Sequence, residues 1–124
     1  MTIAVVGEAH VDPVWATGTP HLTLHPGGSP ANVAIGLHRL KRPVTLMSCW
    51  GADPPGALTG SYLTAAGIRI HRLPSASRRN TIALAYVDTS TGPATYDVVT
   101  AWDPLGHALA GVRVLPARLS GKKL

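Results

Sequence analysis

The chain has 124 residues, 45% of them hydrophobic, which suffices for one domain with a buried core, or part of one, and not for two. No stretch approaches the ~20 apolar residues of a membrane-spanning helix, and the start lacks the basic region of a secretory signal. We therefore expect a cytoplasmic protein without a membrane partner. The single cysteine, Cys49, excludes an internal disulfide and lies in an apolar run typical of a buried, inert thiol.

The formal net charge is +5, from eleven Lys and Arg residues against six Asp and Glu. A basic balance of this size is one mark of nucleic-acid-binding proteins. Here the basic residues form small separate clusters without aromatic residues between them, and the chain has no Phe and three Tyr. This distribution favours a solvated surface, and we expect no nucleic acid partner.

The first predicted elements are two strands and a helix. Residues 2–7 form a short β-branched run ending in glycine, which is typical of a buried strand. Residues 21–25 alternate apolar and polar side chains and predict a half-buried strand. A helix follows, with Ser29 placed to cap it and Pro30 in its first turn. The expected apolar face of this helix consists of Val33, Leu37 and Leu40.

A second unit of strand, helix and strand comes next. Residues 43–50 predict a buried strand, and residues 68–73 predict the next strand. Between them, Asp53 is placed to cap a helix whose first turn holds prolines, and Gly67 is placed to end it. This alternation of strands and helices predicts a parallel sheet covered by helices.

The hairpin predicted after this unit comprises residues 81–88 and 94–99. The two apolar runs flank the turn signal TSTGP, which favours antiparallel pairing. No internal repeat or low-complexity tract interrupts the chain. The sequence therefore predicts an α/β domain with a small antiparallel addition.

Gly27 and Gly28 stand directly before the first helix. Such a pair lets a polar or anionic ligand approach the backbone and meet the first N–H groups of the helix. On these residues alone, a sharp turn into a capped helix explains the glycines equally well. Asn32 favours a ligand, since Asn is a poor helix former and its amide both donates to and accepts from a sugar hydroxyl. Neither nucleotide-binding glycine fingerprint is present.

Two further groups of polar residues are candidates for chemistry. His21 and His25 have the spacing of metal ligands on a helix, but their segment alternates like a strand and no carboxylate follows at ligand spacing. We therefore expect no metal site. Glu8, His10 and Asp12 fall on one side of a strand and form the rim of a pocket, in which Asp12 is the candidate acceptor for a sugar hydroxyl.

In this order the motifs resemble the ribokinase-like or PfkB carbohydrate kinases, and among them the fructokinase-like members, over residues 3–116. The segment VVGEAHVD is similar to the family's first strand and sugar-binding aspartate, which would be Asp12. The segment GGSPANVA resembles the first family signature and implies that Gly27, Gly28 and Asn32 line the sugar pocket. The segment WGADPPG is similar to the family's G-x-D-x-x-G element.

The resemblance implies a fold class and a domain plan. The fold would be the amino-terminal part of a ribokinase-like α/β fold, a parallel sheet with flanking helices plus a small antiparallel β lid over the sugar. Lid strands would lie near residues 21–25 and 81–99, and residues 110–115 would start the second half of the fold. Residues 1–124 would be an incomplete, sugar-side half of the domain, with residues 116–124 a basic tail outside the family.

The sequence departs from the family pattern in two ways. Lys41 stands where the family has a small residue, usually glycine, which affects the end of the first helix. The D-T-x-G-A-G-D motif, with the catalytic base, the anion hole and the nucleotide site, is absent. ATP and Mg²⁺ are the cofactors that the resemblance implies for the family, but we expect neither cofactor on this chain and assign no catalytic residue in it.

Two functions remain open. The chain is a truncated sugar kinase, whose intact relatives transfer the γ-phosphate of ATP to a sugar hydroxyl, or a non-catalytic sugar-binding or regulatory module. A nucleic-acid-binding protein is a distant third. The expected partner is a small-molecule sugar, and the resemblance also implies a homodimer through the lid strands or self-association through an exposed sheet edge.

Overall fold

A computed structural model describes residues 1–75 and 78–102 of the chain. The predicted strand at 110–115 and the basic tail at 116–124 lie outside the described residues. The described part forms seven strands and two helices. In chain order they are β1 Ile3–Val6, β2 His10–Ala16, β3 Leu22–Gly27, α1 Ser29–Arg39, β4 Val44–Ser48, α2 Pro54–Ala65, β5 Arg69–Arg72, β6 Ile82–Val87 and β7 Ala94–Val99.

The first sheet has the order β1-β4-β5, and all its strands are parallel. Ile3 of β1 lies opposite Val44 of β4, and Thr45 lies opposite Arg69 of β5. Helices α1 and α2 form the connections between these strands. The parallel sheet with flanking helices that the alternation predicts is thus confirmed.

The core lies between this sheet and the helices. Leu46 of β4 and Leu63 of α2 are fully buried, and each contributes about 1.5–3 kcal/mol through burial of its apolar surface. Cys49 is also buried, as its apolar surroundings predict. The buried core cluster consists of Ala9, Ala31, Ala34, Ile35, Val44, Leu46, Leu63 and Ile68.

Helix α1 differs from its prediction at its start. Its N-cap residue is Gly28, and Ser29, predicted to be the cap, is already the first helical residue. No side chain caps the helix, although proline does occupy the first turn as expected. The reason is the backbone at Gly28, whose φ of 107° makes the sharp turn one residue earlier than a serine cap requires.

The buried face of α1 also differs from its prediction. Val33 is 52% exposed and Leu40 is 72% exposed, while Leu37 is partly buried against the core. The residues that α1 buries are instead Ala31, Ala34 and Ile35. Two of these are alanines, whose small side chains let the helix backbone approach the sheet closely. Close packing of the helix on the sheet therefore decides which face is buried, and the larger Val33 and Leu40 stay exposed.

Both helices end in a residue with left-handed backbone. Gly67 follows α2 with φ 73°, as its predicted terminating role requires. Lys41 follows α1 with φ 59°, a conformation that favours glycine. The N–H of Lys41 donates to His38 O at 2.9 Å, and that of Arg42 donates to Leu37 O at 3.0 Å. This bond pair is the Schellman motif, here completed by a lysine.

The second sheet has the order β3-β2-β6-β7. The predicted hairpin is confirmed, because β6 and β7 pair antiparallel. Strand β2 pairs antiparallel with β3 and parallel with β6, so this sheet is mixed. The strand predicted at 21–25 forms β3, but it is not half-buried, since Leu22 is 56% and Leu24 is 55% exposed.

The sequence placed Glu8, His10 and Asp12 on one side of a strand, but it did not give the bounds of β2 or its central place in the second sheet. Strand β2 lies between β3 and β6, yet it contains Pro13, which has no N–H for a sheet hydrogen bond. Pro13 lies opposite Leu24 of β3, and the remaining residues of β2 maintain the pairing on both sides. Because proline is rare in central strands, Pro13 argued against a strand at this interior position.

The segment WGADPPG joins the two sheets. Asp53 caps α2, since its Oδ1 accepts from the N–H of Gly56 at 3.0 Å, and its Oδ2 accepts from the N–H of Asn80 at 2.9 Å. Asn80 is buried, accepts from the N–H of Gly51 at 3.0 Å and donates from Nδ2 to Thr59 Oγ1 at 3.2 Å. A Cβ on Gly56 would overlap the carbonyl of Gly51. The segment therefore anchors the start of β6 to α2.

No helix within residues 1–75 and 78–102 combines the length and the apolar character that crossing a membrane would require.

Candidate functional site

The four predicted site residues lie on three neighbouring elements. Asp12 is on β2, Gly27 ends β3, Gly28 is the N-cap of α1, and Asn32 is in the first turn of α1. The loop after β1 meets them, because a Cβ on Gly28 would lie 2.6 Å from the carbonyl oxygen of Glu8. Ligands of α/β proteins bind at this carboxyl end of parallel strands.

Gly27 makes room for the carboxylate of Asp12. In the pairing of β2 with β3, Gly27 lies opposite His10, and Asp12 lies opposite His25. A Cβ on Gly27 would overlap the Asp12 carboxylate. The absent side chain at Gly27 therefore lets Asp12 lie across the end of β3.

Gly28 is required for two separate reasons. Its φ of 107° is unfavourable for any residue with a side chain. A Cβ there would also lie 3.1 Å from Ala9 Cα as well as against the Glu8 carbonyl. Contacts within the chain thus require glycine at both positions. The sharp turn into the helix, one of the two roles that the sequence left open for this pair, is one of their functions.

Three residues beside the glycine pair each carry a buried polar atom: the Glu8 carbonyl lies against Gly28, and His10 and Asp12 lie on β2 next to Gly27. Glu8 Oε1, His10 Nδ1 and Asp12 Oδ1 are buried and have no hydrogen-bond partner in the described part of the chain. His10 Nε2 lies 2.8 Å from Asp12 Oδ1, which is ion-pair distance without the alignment of a hydrogen bond. Buried polar atoms in proteins are nearly always paired, so these groups are suited to a polar ligand.

Asn32 completes the set from the helix. Its N–H donates to the carbonyl of Gly28 at 2.9 Å, which places it one turn along α1, on the same side as Gly28. Its side chain is exposed. An amide in this position supplies both a donor and an acceptor on the helix side of the glycine pair.

The sequence placed Glu8 and His10 at the rim of a pocket. In the structure, His10 lies beside Asp12, and the Glu8 carbonyl lies against Gly28.

The sequence did not reveal Asn80 as the anchor of β6. The hydrogen bonds of Asn80 reach residues 27 and 29 positions away, so no local pattern marks it.

Within residues 1–75 and 78–102, no group of three or more His, Cys, Asp or Glu side chains is placed to hold a metal ion. His21 and His25 accordingly carry no metal assignment. The polar groups beside the glycines, two carboxylates and one imidazole, are instead suited to hydroxyl groups, which both donate and accept hydrogen bonds.

Comparison with solved structures identifies similar folds. A fructokinase with bound ATP from Xylella fastidiosa is 26% identical, with a TM-score of 0.67 over 82% of this chain and 34% of that protein. The fructokinase of Halothermothrix orenii is 28% identical, with a TM-score of 0.67 over 83% of this chain and 39% of that one. This chain therefore spans between a third and two fifths of their length.

A ribokinase from Thermotoga maritima shares the fold, with 21% identity and a TM-score of 0.64 over 79% of this chain and 36% of that one. A search among curated proteins returned no match. The sequence profile of the pfkB family carbohydrate kinases matches residues 2–103, which include both sheets and the candidate site. The chain therefore belongs to the pfkB family of carbohydrate kinases, and its fold is ribokinase-like.

Proposed function

We propose that this chain supplies the sugar-binding side of a carbohydrate kinase, with Asp12, Gly27, Gly28 and Asn32 as the binding residues. The observation that carries the proposal is that Glu8, His10 and Asp12, which lie beside the glycine pair, each have a buried polar atom without a hydrogen-bond partner in the described part of the chain. Family membership and the similarity to fructokinases support a sugar as the ligand.

The geometry supports a division of roles at the site. The carboxylate of Asp12 accepts hydrogen bonds from neighbouring hydroxyls of the sugar, and the exposed amide of Asn32 meets a further hydroxyl from the helix side. Gly27 keeps the Asp12 carboxylate in place, and Gly28 brings the start of α1 against the loop after β1. Selectivity for one sugar over another depends on parts of the pocket wall beyond these residues.

We further propose that this chain alone does not transfer phosphate. Phosphoryl transfer needs a base at the attacking hydroxyl and stabilisation of charge on the γ-phosphate. The 124 residues contain no D-T-x-G-A-G-D motif, and the described residues do not fit Mg²⁺, since they form no metal-ligand group. In intact relatives, ATP and Mg²⁺ would occupy residues outside this region.

The purified chain should therefore give no ATP-dependent phosphorylation of fructose, ribose or a nucleoside. A coupled assay for ADP release measures this directly, with a full-length fructokinase as the positive control. Turnover that Asp12→Ala abolishes would overturn this part of the proposal and would mean that the catalytic groups are present.

Sugar binding is tested separately by NMR titration. Because the residues named here offer a sugar only a few polar contacts, we expect millimolar affinity or weaker, with the amides of residues 27–32 shifting first. Asp12→Asn should weaken binding about tenfold, since a charge-assisted hydrogen bond is lost. Asp88→Asn is the matched control at an exposed turn and should leave affinity unchanged. Shifts confined to other residues would contradict the site.

A non-catalytic sugar-binding or regulatory module is the second candidate, favoured by a chain that covers only 34% to 39% of the fructokinases. The two candidates differ in what completes them. A polypeptide carrying the remaining part of a family member should restore phosphorylation if this chain is half of a kinase. Sugar binding without such restoration favours the module.

We also propose that the chain associates through its sheets, as a homodimer through the second sheet or by self-association through a sheet edge. In the second sheet, Leu22, Tyr96 and Val99 are each more than half exposed. In the first sheet, β1 is an edge strand of the described part, and its Ile3 and Val6 are each 39% exposed. Sedimentation tests this, and a stable monomer would contradict it. A cytoplasmic location stays a prediction.

A further inference from the structure

A second pocket lies at the carboxyl ends of β4 and β5, with a volume of about 380 Å³. Its wall includes Trp50 and Ala52 after β4, and Arg72, Leu73 and Arg78 at and after β5. It shares no residue with the candidate sugar site. In the strand order β1-β4-β5, this pocket lies on the side of the sheet formed by β4 and β5, whereas the loop with Glu8 follows β1 on the other side.

Arg72 is held in this wall by two contacts with the same residue. Its Nη2 donates to the carbonyl oxygen of Trp50 at 3.0 Å, and its Cζ lies 4.5 Å from the centroid of the Trp50 ring. The hydrogen bond uses one of the five N–H groups of the Arg72 guanidinium, and the contact with the Trp50 ring uses the flat face of the guanidinium rather than its N–H groups. An exposed arginine fixed in this way loses less freedom when it binds a ligand.

Arg78 also lines this pocket. Its carbonyl oxygen accepts from the N–H of Ala52 at 2.9 Å, so its backbone is pinned to the loop between β4 and α2. The neighbouring acid, Asp53, is not part of the described lining, and both its oxygens accept backbone N–H bonds, from Gly56 and Asn80. The described pocket wall is therefore positively charged without a compensating carboxylate.

We propose that this pocket binds a phosphate monoester of a small organic molecule. Two arginines, Arg72 and Arg78, line it, and the guanidinium fork of arginine matches the oxygens of phosphate. The volume lies at the lower end of the range for small-molecule sites, larger than a bare phosphate needs and sufficient for a small organic group beside it. The carboxyl edge of a parallel sheet is also where such ligands bind. This inference does not depend on the proposed sugar site.

The test is an NMR titration of the whole chain at constant ionic strength with three probes: inorganic phosphate, a hexose phosphate and a nucleoside monophosphate. We expect the Trp50 indole N–H and the amides of Ala52 and Leu73 to shift together, with one of the two esters binding more tightly than inorganic phosphate. The ester that binds more tightly tells whether a phosphorylated sugar or a nucleotide is the source of the phosphate group.

Matched variants on one strand separate a built site from general charge. Arg72→Gln should weaken the tighter ester about tenfold, as for loss of a charge-assisted hydrogen bond. Arg69→Gln removes the same charge at the other end of β5 and should change affinity less than twofold. Arg72→Lys should also weaken binding, because lysine keeps the charge but lacks the planar fork.

Thermal melting of each variant checks the fold, and Arg78→Gln replaces Arg72→Gln if the latter melts early. Equal weakening by Arg69→Gln and Arg72→Gln would overturn the proposal, because it would show only general attraction to a basic chain. Esters that bind no more tightly than inorganic phosphate would overturn it as well.

Discussion

Leu46 of β4 and Leu24 of β3 are both leucines on strands, but the first is fully buried and the second is 55% exposed. The difference lies in what covers each sheet. Leu46 is covered by helices whose small and apolar residues pack onto the first sheet. On the second sheet, the outer strands β3 and β7 expose nearly all their side chains in the described structure.

This contrast shows that the two sheets obtain stability from different sources. In the first sheet, the central strand β4 is buried against the helices whereas most residues of the flanking strands β1 and β5 are exposed, so the apolar residues of β4 stabilise the fold directly. The second sheet holds together through strand pairing and the buried anchor at Asn80, and it leaves apolar surface available. Mutations in the first sheet should therefore act on stability, and mutations on the outer strands of the second should act on association.

The largest expected effect compares the two leucines directly. Leu46→Ala should lower the free energy of unfolding by about 2–5 kcal/mol, because it creates a cavity in the core. Leu24→Ala should lower it by less than about 1 kcal/mol, since more than half of that side chain is already in water. Urea unfolding measures both. Equal losses would break the contrast between the sheets.

The next effect tests the anchor between the sheets. Asn80→Ala should cost about 2–3 kcal/mol, because the buried N–H of Gly51 loses its acceptor. Hydrogen exchange should show the amides of β6 opening first. Asn32→Ala is the matched control, and it should have little effect because Asn32 is exposed and alanine favours the helix. Similar losses in the two variants would rule out Asn80 as the anchor.

A smaller effect concerns the two helix ends. Lys41→Gly should raise the free energy of unfolding by about 0.5–1 kcal/mol, since glycine relieves the left-handed strain at φ 59°. The greater freedom of glycine in the unfolded chain offsets part of the gain. Gly67→Ala should act in the opposite direction at φ 73°. Thermal melting checks both signs, and a loss with Lys41→Gly would contradict the account.

The smallest effect lies in the turn between β6 and β7. The Ser90 hydroxyl donates to Asp88 Oδ1 at 2.6 Å and the Ser90 N–H at 2.8 Å, and these bonds lower the pKa of Asp88 below 3.8. The folded carboxylate is favoured, so its contribution to stability is present above the unfolded pKa and is lost as pH falls through the folded one. Ser90→Ala should raise this pKa, as an NMR titration of the carboxyl carbon would show. An unchanged pKa would mean that the serine is not the cause.

Much of the fold was predictable because its signals are local. The cap at Asp53, the glycine end at Gly67 and the turn between β6 and β7 each depend on residues a few positions apart. The parallel sheet followed from the alternation of elements. The candidate site residues were named from motifs, and their role in binding stays a prediction.

The remainder depended on contacts between distant residues. The pairing of β2 with β3 and β6 overrides Pro13, and small alanines set which face of α1 is buried. Asn80 finds its partners Gly51, Asp53 and Thr59 between 21 and 29 positions away. The sequence by itself determined the alternation of strands and helices outside β2, both ends of α2 and the family resemblance, since these depend on short-range patterns. Only the tertiary structure decided which buried polar atoms meet, because that depends on how the strands pair across the whole chain.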